Sequence, residues 1–293
     1  MNKFSLLLTF ALFISGCDQK PAVNPINQKA ADALVQQSLN NMVDIPGGSF
    51  MMGDFGTLIG EKLPLTGNDD DKDVHKVTLS DFSMSKYKVT YKEYDEYSSI
   101  THNEKITPLN LWIKEYPTLR APDMPAVTTW QQAKDYCLWL GLHSGKKIEL
   151  PTEAQWEYAA RDKGKYVEYA TNDGTYEIGK NVASSEQKIK YSGMSLFSFT
   201  GGKFPPTPLG LYDMAGNGVD WINDWYAENY YSNSPESNPQ GPDKGIYKVV
   251  RGYLGGGGPF TNQTVYRQFV KPDPTDKETG IAPIYNFRCV VNK

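Results

Sequence analysis

Alternating apolar and polar positions begin at Met42. The segments MVDIPGGSFMMG (42–53) and HKVTLSDFSMSKYKVT (75–90) alternate in this way around Gly and Pro, which predicts short strands joined by turns. The preceding residues 18–41 are polar, include Pro21 and Pro25, and contain only a short helical pattern in AADALVQQSL. We therefore predict a tether before residue 42 and a folded unit after it.

Three S/T-x-x-E/Q boxes predict helix starts, because the two side chains of each box satisfy reciprocal backbone donors in a first turn. In the second of these helices apolar residues recur every three or four positions, which places Cys137 on a buried stripe and the end near Gly145. The boxes are Thr90 with Glu93, Thr129 with Gln132, and Thr152 with Gln155.

No long periodic segment follows Arg161. Gly, Pro, Asn and Tyr interrupt the chain as far as residue 285, and only the final NFRCVV has strand character. We interpret the Tyr-rich stretch 226–242 as a packed loop rather than an interface, and the acidic run NDDDKD (68–73) as a solvated loop rather than an ion site. Irregular loops are thus expected to dominate the second half.

The first seventeen residues, MNKFSLLLTFALFISGC, resemble a bacterial lipoprotein signal. The resemblance implies cleavage before Cys17 and lipidation of that cysteine, which would anchor the chain to a membrane. The predicted organisation is a signal peptide over 1–16, a lipidated tether over 17–41 and one domain over 42–293. Asp18 resembles an inner-membrane retention residue, so we expect an inner-membrane lipoprotein facing the periplasm, with the outer membrane as the alternative.

Charge and cysteine content restrict the partners and the redox state. The formal net charge is -4 and no cluster of Lys and Arg occurs, so nucleic acid is not an expected partner. Cys137 and Cys289 are the cysteines that remain after lipidation, and in an oxidising compartment they could pair or stay apart. Because free cysteine is usually buried, we expect two buried thiols.

Two motifs carry a family resemblance. PTEAQWEYAAR (151–161) and GLYDMAGNGVDW (210–221) resemble hallmarks of the formylglycine-generating enzyme family, also called sulfatase-modifying factors, from about Met42 to Val291. The resemblance implies a single-domain α+β fold of the C-type-lectin-like kind, low in regular secondary structure.

The same resemblance implies a calcium site in GLYDMAGNGVDW. Its ligands would be the carboxylates of Asp213 and Asp220 and the backbone carbonyls of Gly216 and Gly218, and oxygen ligands suit a hard cation. Asp213 stands where the family often has Asn, and Asp220 where it has the longer Glu.

The expected catalytic residues are missing from the sequence. Active family members carry a redox pair of cysteines, which bind copper as thiolates, after an RGGS turn. Here the segment 251–268 reads RGYLGGGGPFTNQTVYRQ and contains no cysteine. His75, His102 and His143 are far apart, so a three-histidine iron site is not expected either. We therefore expect a non-catalytic member without copper or iron and without catalytic residues.

These observations predict a lipid-anchored periplasmic protein that binds another protein. The most specific hypothesis, which the family resemblance implies, is an immunity protein that neutralises a (phospho)lipase effector of type VI secretion, with membrane attachment through Cys17. One alternative is a formylglycine-generating or related metal-dependent oxidase that matures sulfatases. A second is a structural lipoprotein of the cell envelope.

Overall fold

The computed structural model describes residues 25–60, 62–107, 110–252, 258–278 and 280–293. The signal peptide predicted over 1–16, Cys17 and Asp18 lie outside the described residues. Within the described ranges no helix has the length and apolar character needed to cross a membrane.

Short helices and strands alternate along the described chain. The helices are α1 (Pro25–Asn40), α2 (Tyr91–Thr101), α3 (Asn110–Glu115), α4 (Trp130–Ser144), α5 (Glu153–Ala160) and α6 (Ser185–Ser192). The strands are β1 (Met42–Ile45), β2 (Gly48–Met52), β3 (His75–Leu79), β4 (Phe82–Ser85), β5 (Lys147–Glu149), β6 (Val219–Trp225), β7 (Lys248–Gly252), β8 (Gln268–Val270), β9 (Tyr285–Asn286) and β10 (Val290–Asn292). The strands predicted over 42–53 and 75–90 are confirmed as β1 to β4.

The strands form three small sheets. The first has the order β1-β4-β10-β5 and is antiparallel throughout, so the C-terminal strand lies between strands from the first half of the chain. The second is the antiparallel pair β2-β3, and the third has the order β8-β7-β6-β9, with β6 and β9 parallel. α5 packs against the second and third sheets, which places its side chains between them.

Helix α1 differs from the tether predicted over 17–41. From Pro25 onward this segment is helical, and it packs against α2 and α4. Ala31, Leu34 and Val35 are buried because their spacing puts three apolar side chains on one face of the helix. The packed unit therefore begins before residue 42, and the tether prediction is wrong for the part that α1 occupies.

The predicted helix starts are confirmed. Thr90, Thr129 and Thr152 are N-caps of α2, α4 and α5, each in a complete capping box. Gly145 caps the C-terminus of α4 with φ 68°, as predicted. A fourth box, Ser184 with Gln187, starts α6 in the half of the chain that was expected to be irregular.

The two cysteines are buried, but they are not free thiols. Cys137 of α4 and Cys289 are joined by a disulfide, with Cα atoms 5.7 Å apart and 152 positions between them in the sequence. The expectation of two buried thiols is therefore wrong. The sequence placed Cys137 correctly on the buried stripe of α4 but could not show that β10 brings Cys289 next to it.

The two loops singled out in the sequence are both packed. Tyr231 is buried, and the backbone N–H of Asn238 donates to the carbonyl of Thr78 in β3, which confirms a packing role for the Tyr-rich loop. In the acidic run, Asp71 is fully buried and its carboxylate lies 2.5 Å from the ammonium of Lys72. The solvated-loop prediction is therefore wrong for Asp71.

Candidate functional site

The centre of the site is α5, the helix of the PTEAQWEYAAR motif. All eight of its residues are buried, including Glu153 and Glu157. These glutamates are one helical turn apart, so both face the same side. Two buried carboxylates require positive partners, because an unpaired buried charge is very costly.

Arg251 of β7 pairs with both glutamates. Its Nη1 lies 2.7 Å from Glu153 Oε1, its Nη2 lies 2.9 Å from Glu157 Oε2, and Nη2 also donates to the carbonyl of Thr264. The guanidinium has no exposed surface. Arg251 therefore bridges α5 and the segment that follows β7.

Two further arginines complete what we call the Glu153 cluster, which comprises Glu153, Glu157, Arg161, Arg251 and Arg267. Arg267 binds both carboxylate oxygens of Glu153, at 2.9 and 3.0 Å, and Arg161 Nη1 lies 2.8 Å from Glu157 Oε1. Burial would raise the pKa of Glu153, but the positive charges of Arg267 and Arg251 outweigh it and lower the pKa. The carboxylate of Glu153 is thus held ionised.

The Glu153 cluster fixes the described part of the segment 251–268. Arg251 binds the carbonyl of Thr264, Arg267 binds Glu153, and Asn262 Oδ1 accepts from the backbone of Gly216 at 2.8 Å. Residues 253–257 lie outside the described residues, but the sequence of the whole segment has no thiol. The described part is held by backbone and arginine contacts.

A second buried group, the Asp220 cluster, comprises Lys88, Trp156, Asp220 and Arg288. Asp220 Oδ1 accepts from the ammonium of Lys88 at 2.7 Å. Oδ2 accepts from the indole N–H of Trp156 and from Arg288 Nε, both at 2.9 Å. Burial would raise the pKa of Asp220, but Arg288 and Lys88 lower it.

The turn of GLYDMAGNGVDW leads directly into this cluster. Gly216 and Gly218 have φ of 80° and 70°, a region that favours glycine. A Cβ on Gly218 would lie 2.2 Å from Ser198 Oγ, so the close approach also requires glycine. Asp213, with φ 57°, accepts from the backbone of Gly202 at 2.9 Å, and burial raises its pKa.

The side chains around this turn do not fit a calcium ion. Calcium takes six to eight oxygen ligands at about 2.3–2.6 Å. Both oxygens of Asp220 already accept hydrogen bonds from three donors, and the ammonium of Lys88 lies against Oδ1. The structure thus places Asp213, Gly216 and Gly218 in the turn and Asp220 in strand β6 directly after it, with Lys88 beside the Asp220 carboxylate.

The three histidines lie on three different elements. His75 is in β3 with its ring 4.9 Å from that of Tyr231, His102 caps the end of α2, and His143 is in the last turn of α4. Within the described ranges no group of three His, Cys, Asp or Glu residues is arranged to hold a metal ion.

An open cleft of about 390 Å³ lies beside the Glu153 cluster. We call it the aromatic cleft because Tyr226 and Phe269 stack along it with ring centroids 3.9 Å apart, and Tyr247 packs against Phe269. Ile246, next to Tyr247 in the chain, is 73% exposed. Asp69 and Glu228 add negative charge, and the lining residues are Asn68, Asp69, Asp70, Tyr226, Glu228, Tyr266, Arg267, Gln268 and Phe269.

The fold and the α5 site together define a family. The family model described as sulfatase-modifying factor enzyme 1-like domain matches residues 27–293. The chain therefore belongs to this family, and the α+β single-domain fold expected from its motifs is confirmed. The match also begins within α1, before the predicted boundary at residue 42.

Three relatives illustrate the similarity. The serine/threonine-protein kinase pkn1 of Chlamydia pneumoniae is 33% identical over 233 residues, which are 74% of this chain and 33% of the kinase. This chain thus spans about a third of the length of that relative. The formylglycine-generating enzyme of Streptomyces coelicolor is 27% identical, covering 74% of this chain and 79% of the enzyme. The structure of PvdO from Pseudomonas aeruginosa aligns with a TM-score of 0.65 and 25% identity. The alignment covers 86% of this chain and 94% of the PvdO chain.

Sequence reasoning missed the cations of both clusters other than Arg161, which lies within PTEAQWEYAAR. Lys88, Arg251, Arg267 and Arg288 are distant from the two motifs in sequence and carry no local pattern. One signal was present: PTEAQWEYAAR places two glutamates beside Trp and Ala on a helix expected to be buried. Buried carboxylates require buried cations, so a search for arginines in later strands was justified.

Proposed function

We propose that this chain is a non-catalytic member of its family that binds another protein. The observation that carries the proposal is the absence of cysteine from the segment 251–268, where the active enzymes would carry their redox pair. Copper-dependent oxidation in this family requires thiolate ligands. Gly, Pro, Thr, Asn and Gln do not supply them.

The arrangement of the Glu153 cluster supports this interpretation. The charged side chains beside the segment 258–268 pair with each other, and Arg251 and Glu157 have no exposed surface. They are therefore occupied in holding the loop and are not presented to a substrate. The contacts of the described residues suit a rigid scaffold better than a reaction centre.

We place the protein at a periplasmic membrane surface, anchored through Cys17. The disulfide between Cys137 and Cys289 supports an oxidising compartment, because such bonds rarely persist in the cytosol. A lipid anchor would concentrate the protein where an enzyme attacks the membrane. The specific partner that we propose is a (phospho)lipase effector delivered by type VI secretion, which this protein would neutralise by occlusion.

The aromatic cleft is the surface that we propose for the partner. Tyr247 packs against Phe269, both rings are partly exposed, and Asp69 and Glu228 line the same cleft as Phe269. The exposed Ile246 precedes Tyr247 in the chain. Aromatic residues dominate the energetic centres of protein interfaces, and charges at the rim select the partner. The expected partner therefore presents an apolar side chain flanked by Lys or Arg.

A competition assay tests immunity. A strain that lacks this gene should be recovered in lower numbers when mixed with sibling cells that have type VI secretion than with siblings that lack it. The wild-type gene should restore survival, and Cys17→Ser should restore it less because the anchor is lost. Equal recovery of the deletion strain against both attackers would contradict the immunity role.

A pair of surface variants tests the cleft. Phe269→Ala should weaken binding of the purified effector by about 2 kcal/mol, or roughly 30-fold in Kd, because an exposed ring at the centre of an interface is removed. Leu142→Ala is the matched control, since Leu142 is 81% exposed on α4 and does not line the cleft. Calorimetry that gives equal affinities for the two variants would exclude the cleft as the interface.

An oxidase is the second candidate, because a relative named formylglycine-generating enzyme aligns over 79% of its length. The assay combines the purified chain with a cysteine-containing sulfatase peptide, oxygen and either copper or iron. We expect no change in peptide mass. A mass shift from cysteine to aldehyde would establish the oxidase and refute the non-catalytic proposal.

A further inference from the structure

Lys88 stands at the turn where the family motif implies a cation. It follows β4 in the chain and is almost completely buried, with 4% of its surface exposed. Its ammonium lies 2.7 Å from Asp220 Oδ1. Lys88 and Asp213 also line the same cleft of about 240 Å³, so the ammonium lies near both carboxylates of the motif.

The carboxyl groups of this turn are matched in number by cationic side chains without a metal ion. Asp213 and Asp220 are the two carboxyl groups, and Lys88 and Arg288, which both pair with Asp220, are the two cationic groups. Arg288 Nε lies 2.9 Å from Asp220 Oδ2, whereas Lys88 contacts the other carboxylate oxygen, Oδ1. A divalent cation added to this arrangement would leave two uncompensated positive charges in a buried region, which is strongly unfavourable.

The same turn keeps the backbone geometry that suits oxygen coordination. Gly216 and Gly218 retain positive φ, and the two aspartates remain at either end. The turn thus combines potential oxygen ligands with a cationic side chain beside them. We propose that the ammonium of Lys88, together with Arg288, replaces a bound divalent cation at this turn and makes its folding independent of calcium.

The wild-type protein provides the first test. Its melting temperature should be the same in buffer with EDTA and in buffer with calcium chloride, when sodium chloride is added to give both buffers the same ionic strength. Isothermal titration calorimetry should detect no stoichiometric calcium binding. Saturable binding that is lost in Asp220→Asn would overturn the proposal, because the metal would then occupy the position assigned to Lys88.

The variant Lys88→Ala provides the second test. Removing the ammonium leaves Asp213 and Asp220 with one positive partner and opens space beside Asp220 Oδ1. The variant should melt at a lower temperature than wild type, and calcium should restore part of the loss. Terbium luminescence, excited through Trp156, should appear in the variant and not in wild type, since the indole donates to Asp220.

Lys248→Ala is the matched control. Lys248 is also buried, but its ammonium lies between the rings of Trp130 and Trp225, 3.8 Å from each, and donates to the carbonyl of Asn223. Its loss should destabilise the protein without any calcium response. If Lys88→Ala folds and does not respond to calcium, or if the control responds equally, the proposal is wrong.

If purified Lys88→Ala is not folded, a refolding experiment provides the test instead. Denatured Lys88→Ala would then be diluted into buffer with EDTA or with calcium. A larger folded yield in calcium supports the replacement of a cation by Lys88. Equal failure in both buffers contradicts it.

Discussion

The two buried charge clusters use the same helix in different ways. The Glu153 cluster has shared partners: Arg251 contacts both glutamates, and each glutamate keeps another arginine. The Asp220 cluster has a single carboxylate that serves Lys88 and Arg288 at once. Removing one charged side chain should therefore reduce stability less in the Glu153 cluster than in the Asp220 cluster.

The clusters also connect different parts of the chain. The Glu153 cluster ties α5 to the loop before β8, because Arg251 contacts the carbonyl of Thr264 and Arg267 contacts Glu153. The Asp220 cluster ties the glycine turn to Lys88, between β4 and α2, and to Arg288, just before β10. We infer that the Glu153 cluster shapes one surface loop, whereas the Asp220 cluster supports the whole fold.

The largest effect is expected for Asp220→Ala. It leaves two buried cations without a carboxylate, so the free energy of unfolding should fall by about 5 kcal/mol, the upper end for a broken buried pair. Urea denaturation would measure it, with Glu236→Ala in the exposed pair with Lys76 as the control, for which little change is expected because exposed ion pairs contribute little to stability. A loss below about 2 kcal/mol would contradict the central role of Asp220.

The second expected effect concerns the disulfide, since Cys289 follows Arg288 directly. The double variant Cys137→Ala/Cys289→Ala should lose about 4 kcal/mol, because the bond closes a very long loop in the unfolded chain. Urea denaturation of the variant and of reduced wild type should agree.

A double-mutant cycle would sharpen the comparison. The losses in the free energy of unfolding for Cys137→Ala/Cys289→Ala and for Asp220→Asn should be non-additive, because both changes affect the position of Arg288. It should be additive with Arg251→Met within about 0.5 kcal/mol. Equal coupling to both clusters would show that the disulfide does not act through Arg288.

The third expected effect is that of Arg251→Met, at about 3 kcal/mol in the free energy of unfolding. Glu153 keeps Arg267 and Glu157 keeps Arg161, so neither carboxylate is left alone. The free energy of unfolding should therefore fall less for Arg251→Met than for Asp220→Ala. Measuring both variants in the same urea series tests whether shared charge partners protect the first cluster. A loss as large as that of Asp220→Ala would mean that the sharing gives no protection.

The sequence predicted local structure well because local signals are short. The capping boxes at Thr90, Thr129 and Thr152, and the left-handed end at Gly145, depend on residues within one helical turn. The family motifs predicted the fold. They also predicted that Asp213 and Asp220 lie at the two ends of one glycine turn. The features that were predicted correctly are those determined by residues close together in the sequence.

The partners of the buried charges could not be predicted in this way. Lys88 meets Asp220 across 132 positions, and Cys137 meets Cys289 across 152. Such pairs depend on which strands become neighbours, and β10 enters between β4 and β5. The calcium expectation rests on the turn alone, and no local pattern in the sequence predicts that Lys88 lies beside it.

The smallest effect is expected from Asp224, at the edge of the Glu153 cluster, where a carboxylate has no arginine of its own. Burial and the negative charge of Glu153 raise the pKa of Asp224 to about 8. The folded state therefore keeps a proton that the unfolded chain loses near pH 4. The stability from this group is complete below that pH and is lost as the pH rises towards 8.

Asp224→Asn should accordingly flatten the decline in stability between pH 5 and pH 7, by up to about 1.4 kcal/mol per pH unit. Asn keeps an oxygen that can accept from the backbone of Glu153, as Asp224 Oδ2 does at 3.1 Å. Above pH 7 the comparison is complicated by Lys248, because burial lowers its pKa to about 7 and its contribution to stability rises with pH. Urea denaturation at pH 5, 6 and 7, with the exposed Asp273→Asn as control, measures the slope. Identical slopes for wild type and Asp224→Asn would show that this carboxyl is ionised in the folded protein, and the Glu153 cluster would then supply enough positive charge for all three acids.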